Sequence, residues 1–115
     1  MSSLAARQAR AWYLQRISAM VLALCVAIHI GVIIYAVRGG LSGAEILART
    51  RGSWGFGAFY ALFVLACAVH VPIGVANIAE EWLGWSSRGA RVLLFVAGLL
   101  ILSLGLRAVA GVTFP

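Results

Sequence analysis

Phe63-Val-Leu-Ala-Cys67-Ala-Val-His70-Val-Pro72-Ile-Gly74-Val-Ala76-Asn77-Ile-Ala-Glu80-Glu81-Trp82-Leu-Gly-Trp85 decides how this chain is read. A histidine lies inside an apolar run long enough to cross a bilayer, and two carboxylates stand where the run ends. Ionisable groups inside a membrane span are costly and mark function by default. At 3.6 residues per turn, His70, Gly74, Asn77 and Glu81 fall on one helical face. Gly74 removes a side chain one turn from the imidazole, which admits a flat ligand. Histidine is a common axial ligand of haem iron. The stretch therefore predicts a membrane helix that handles haem or quinone.

Composition agrees with a membrane setting. Of 115 residues, 63% are hydrophobic and 10% charged, against about 45–50% and about 25% in a soluble domain. The net charge of +6 comes from arginines without a single lysine. These arginines are spread over the ends of apolar segments rather than gathered into a patch. That pattern predicts contact with lipid headgroups and excludes a nucleic-acid surface. Cys25 and Cys67 lie in apolar runs without metal or disulfide spacing, so they are expected to pack as small hydrophobes.

A single membrane domain over residues 1–115 is predicted, all-α, with three transmembrane helices in an up-down-up bundle. The spans are placed at about 12–37, 54–79 and 90–112, each long enough at 1.5 Å per residue. Trp12 and Tyr13 mark an interface. Ser42-Gly-Ala-Glu45 has the form of a capping box and predicts a short interfacial helix over Glu45–Arg51. Pro72 is expected to bend the second span after His70. Ser86 or Ser87 is expected to cap the third helix. Gly98 and Gly105, seven apart, share a face suited to close packing.

Three spans put the start of helix I and the end of helix II on the same membrane side. Trp12, Arg16, Ser18 and Glu81 are thereby expected to converge on a quinone headgroup, which needs hydrogen bonds to its carbonyls and a proton route. Ordinary interfacial anchoring accounts for the same residues. Arg16 to His29 spans about 20 Å of helix and Glu81 to His70 about 16 Å. This predicts two intramembrane histidines at similar depth. Packed helices lie only about 8–10 Å apart, so a haem between helices I and II needs splayed helices or a ligand from another chain. A histidine hydrogen-bonded to the backbone is the purely structural alternative. No nucleophile–base pair, phosphate loop or carboxylate dyad is visible.

Two motifs carry a likeness to a known family. Gln15-Arg16-Ile17-Ser18-Ala19 stands where helix I of the family reads H-R-x-S-G, and His70-x3-Gly74-x-Ala76-Asn77-x3-Glu81 stands where helix II reads H-x3-G-x-R-H-x3-D. The chain resembles the small three-helix, cytochrome b-type membrane-anchor subunits of succinate dehydrogenase and fumarate reductase. The resemblance implies docking to flavoprotein and iron–sulfur subunits, an axial haem b bond from His70, and a quinone site that includes Arg16 and Ser18. Ala76 and Asn77 replace an Arg-His pair near the haem propionates, and Gln15 replaces a histidine. His29 has no counterpart in the simplest three-helix members. In the two-haem, five-helix anchors the first two helices each supply a ligand to a different haem. A homodimer with His29 and His70 paired across it would imitate that arrangement, and a second anchor subunit is the other option.

The expected function is thus electron passage from iron–sulfur clusters to a membrane quinone, with dicarboxylate chemistry on the partners. Gly74 and Asn77 are expected beside the haem. The localisation expected is the bacterial inner membrane. Five arginines on the N-terminal side against four on the other place the N-terminus in the cytoplasm. The rival reading is a small structural or assembly membrane protein whose histidines merely pack.

Overall fold

The computed structural model of the chain describes residues 2–114. Helix α1 runs Ser2–Arg38, α2 Gly43–Thr50, α3 Trp54–Leu83 and α4 Arg88–Thr113. No strand occurs among the described residues. Three of the helices are long and apolar enough to cross a membrane, with mean hydropathies of 2.7, 2.1 and 2.4. The 37 residues of α1 make a rod of about 55 Å, longer than the about 30 Å of a hydrocarbon core. Residues 2–11, ahead of the predicted span, belong to the same continuous helix.

Each helix end has a local cause. Gly40 adopts φ 62°, a conformation that suits glycine. There its N–H donates to Val37 O while Leu41 N–H donates to Ala36 O, the double bond of a Schellman stop. Ser42, Ser53 and Ser87 cap the next three helices by accepting from Glu45, Phe56 and Ala90 N–H at 3.1–3.2 Å. Gly84, φ 63°, closes α3. That helix continues through Pro72 without interruption.

Helix α3 lies in the middle, packed on α1 and on α4, which barely meet each other. The α3–α4 seam is notched by glycines. A Cβ on Gly105 would lie 2.5 Å from Val64 Cγ1, one on Gly98 would meet Pro72 Cγ at 3.0 Å, and one on Gly57 would meet Thr113 Cγ2 at 2.9 Å. The close packing expected of Gly98 and Gly105 is therefore realised, against α3.

Helix α2 crosses the end of the bundle where α4 finishes. The buried Thr50 hydroxyl donates to Val112 O at 2.7 Å, and Gly52 N–H donates to Thr113 O at 2.6 Å. Arg49 joins α2 to α1 through the Tyr35 hydroxyl at 3.2 Å. Thr50→Val removes the bond to Val112 while conserving shape. It is expected to cost about 1 kcal/mol, seen as a lower thermal midpoint in detergent; an unchanged midpoint would count against this anchor.

Candidate functional site

Among the inward residues of α1, Ala11, Gln15, Ser18, Leu22, Cys25, His29, Val32 and Ala36 form one stripe, with Ala19 and Val21 at its flanks. The spacing along the stripe alternates four and three, the 3.5-residue repeat of left-handed helix pairs. Ser18 and Cys25 are buried, while His29 is half-buried. The polar members of this stripe find partners on α3.

Three contacts fix the antiparallel register of α1 on α3. The amide nitrogen of Gln15 lies 3.1 Å from where a Cβ on Gly74 would sit. Ser18 Oγ is 3.4 Å from His70 Nδ1. His29 Nδ1 is 3.2 Å from the Tyr60 hydroxyl. In each pair the residue numbers add to 88 or 89, so the register is shared along the interface.

This register separates the two histidines. His29 stands level with residue 60 of α3, about 15 Å along the axis from His70. The similar depth expected from the sequence is not what the fold gives. One iron cannot take both imidazoles of a single chain in this packing. His70 instead lies about 4 Å, less than one turn, inside the level of Arg16.

The register also sorts the expected quinone residues. Trp12 is level with Asn77, and both are exposed. The Arg16 guanidinium stacks over the Trp12 ring at 4.9 Å from its centroid, a geometry that holds the cation at the helix edge. Ser18 is closed off, with only 6% of its surface exposed. Glu81 is exposed and lies level with Arg7 and Gln8, about 13 Å beyond Arg16. Trp12 and Asn77 thus share a level, the Arg16 guanidinium reaches back to it from one turn farther in, and Glu81 lies apart.

Two polar residues given no site role from the sequence, Gln15 and Tyr60, now belong to the site. Gln15 Oε1 is buried without a hydrogen-bond partner, one turn from His70 across the interface. A buried acceptor without a donor costs about 1–3 kcal/mol, so this oxygen is a place where a proton donor fits. Its place on the Ser18–Cys25–His29 stripe was a usable signal. Tyr60 pairs with His29, and the two rings meet edge to face at 5.6 Å. Nothing short of the helix register announces that partner.

His70 is the candidate axial ligand of a haem. Nδ1 is engaged by Ser18, while Nε2 has no hydrogen-bond partner among the described residues. His70 is half-buried, and none of the three main cavities reaches it. The space beside Gly74 is taken by the Gln15 amide. Within this chain the residues at His70 offer one ligating nitrogen, and no haem-sized cavity among the three lies there. The largest cavity, about 720 Å³, lies at the other end, lined by His29, Tyr60, Phe63 and Gly105 among others.

Comparison with known families decides the class. The pattern described as "Succinate dehydrogenase/Fumarate reductase transmembrane subunit" matches residues 5–106. The chain belongs to the succinate dehydrogenase/fumarate reductase transmembrane subunit family. No curated protein and no solved structure matches it. Both motifs of the succinate dehydrogenase/fumarate reductase family likeness, at 15–19 and 70–81, fall inside the matched region. Their facing segments form the α1–α3 interface just described. As a family member the chain is a membrane-anchor subunit of this class of complex.

Proposed function

We propose that the chain binds haem b through His70 and passes electrons between iron–sulfur clusters of a docked catalytic pair and a membrane quinone. The observation that carries this reading is the family match over residues 5–106, together with the Nε2 of His70, unpartnered among the described residues. A haem bound there supplies a one-electron redox centre within the membrane. His70 holds the iron, with Gly74 and Asn77 on the same side of α3. Trp12 and Arg16 receive the quinone headgroup at the helix edge. The Arg16 guanidinium donates to a quinone carbonyl. The orphaned Gln15 oxygen accepts from a hydroquinone hydroxyl, and Glu81 takes up protons farther out. Flavoprotein and iron–sulfur subunits dock on the Arg16 side, which we take as cytoplasmic, in a bacterial inner membrane.

The test is a reduced-minus-oxidised optical spectrum of the detergent-purified complex. A b-type signal is expected. A folded complex without a b-type signal would leave a haem-free quinone anchor or a structural subunit, whose histidines pack through their hydroxyl partners. Quinone binding has its own check. Arg16→Leu is expected to raise the KM for a short-chain quinone about tenfold or more, since hydrogen bonds from a charged donor contribute about 1.5–3 kcal/mol. An unchanged KM would remove Arg16 from the site.

A further inference from the structure

We infer that Ser18 is a positioning residue that fixes the tautomer of His70, leaving the proton on Nδ1 and the lone pair on Nε2. The inference rests on the axial-ligand reading only for its purpose; the tautomer itself follows from the hydrogen bonds. Ser18 Oγ lies 3.1 Å from the carbonyl oxygen of Gln15, one turn back in its own helix, and 3.4 Å from His70 Nδ1. A hydroxyl has one proton to donate and two lone pairs to accept with. A carbonyl can only accept, while Nδ1 can do either; the carbonyl is the nearer partner, 3.1 against 3.4 Å, and on that ground the hydroxyl proton is assigned to Gln15 O. Towards His70 the oxygen is then an acceptor, and Nδ1 must be the donor. A neutral imidazole with its proton on Nδ1 presents an unprotonated Nε2.

The chain Gln15 C=O, Ser18 hydroxyl, His70 ring is the arrangement by which an outer partner orients a metal-binding histidine and raises its basicity. Ser18 suits the task because it is buried, 6% exposed, inside the α1–α3 interface. The other histidine supplies the contrast. His29 Nδ1 meets only the Tyr60 hydroxyl, and that hydroxyl has no second partner among the described residues. Nothing there chooses which atom donates. Ser18 therefore serves His70 from inside the α1–α3 interface, while Trp12 and Arg16 serve the exposed edge.

The experiment is nitrogen NMR of the full chain, labelled at histidine and reconstituted without haem in lipid nanodiscs. The chain has two histidines, and His70→Gln assigns their signals. In the wild type, His70 is expected to carry its proton on Nδ1. Ser18→Ala is expected to shift the ratio of Nδ1–H to Nε2–H forms about two- to twelve-fold towards Nε2–H, the equivalent of one net hydrogen bond. Ser18→Thr keeps the hydroxyl and is expected to restore the wild-type ratio, with the His29 signal unchanged throughout. A wild-type proton on Nε2, or an unaltered ratio in Ser18→Ala, would overturn the inference. On adding haem, Ser18→Ala is expected to bind it about tenfold or more weakly than wild type. Failure of the wild type to take up haem would overturn the axial-ligand reading and leave the tautomer result standing.

Discussion

In His70→Ala the b-type difference spectrum is expected to disappear, and in His29→Ala to persist. The prediction depends on register rather than on residue type, since both side chains are membrane histidines. His70 offers a free Nε2 beside the level of Arg16. His29 lies about 15 Å away along α3, paired with Tyr60 and enclosed edge to face by Phe63 at 5.7 Å. Removing the proposed His70 ligand is expected to abolish the signal, with the three helices still formed. Far-ultraviolet circular dichroism separates loss of haem from loss of fold. A signal that survives His70→Ala would reject the assignment. A signal lost in both variants would make His29 a ligand too, which requires a second chain.

Gly105→Leu is the second variant with a large expected effect. Even a bare Cβ at that position would approach Val64 at 2.5, 2.9 and 3.2 Å, and no side-chain rotation moves a Cβ. Overpacking of this kind costs about 1–3 kcal/mol. Gly105→Ala is therefore expected to lower the thermal midpoint by several degrees, and Gly105→Leu to push α4 off α3. Small residues let membrane helices approach closely where no hydrophobic force draws them together. Gly111, on the same helix, has nothing within 4 Å of a built Cβ. Gly111→Ala is the control, expected to stay within about 0.5 kcal/mol of wild type. Equal midpoints for Gly105→Ala and Gly111→Ala would show that the seam does not hold α4.

The three spans, the serine caps at Ser42 and Ser87, and the glycine seam were legible because each depends on local chemistry. Apolar length announces a span, and a serine before a helix announces its start. The register of α1 on α3 was not legible. Helices that face lipid are apolar nearly all round, so one sliding position satisfies the pattern as well as the next. The depth of His29 was gauged from Arg16 and that of His70 from Glu81, as though those two stood level. They stand about 13 Å apart, because Arg16 lies well inside α1, whose helix starts at Ser2, while Glu81 stands two residues from the end of α3. The contacts that set the register, Gln15 to Gly74, Ser18 to His70 and His29 to Tyr60, each join residues far apart in the chain. The likeness to the family named the helices that meet, and the side chains then determine where they meet.

The alternating four-and-three stripe of α1 carries a consequence for how this protein can vary. Ser18 and His29 are two pins on one rod, eleven residues apart, which is close to three full turns. Deleting a single residue between them would rotate one pin about 100° away from α3 and shorten the rod by about 1.5 Å. Only one of the two hydrogen bonds could then be kept. Removing seven would restore the phase but bring the pins about 10 Å closer, so α3 would have to shorten in step. The interval between the pins is thus quantised, and length change in this family member is confined to the rod's outer end, before Ala11, where nothing on α3 keeps count.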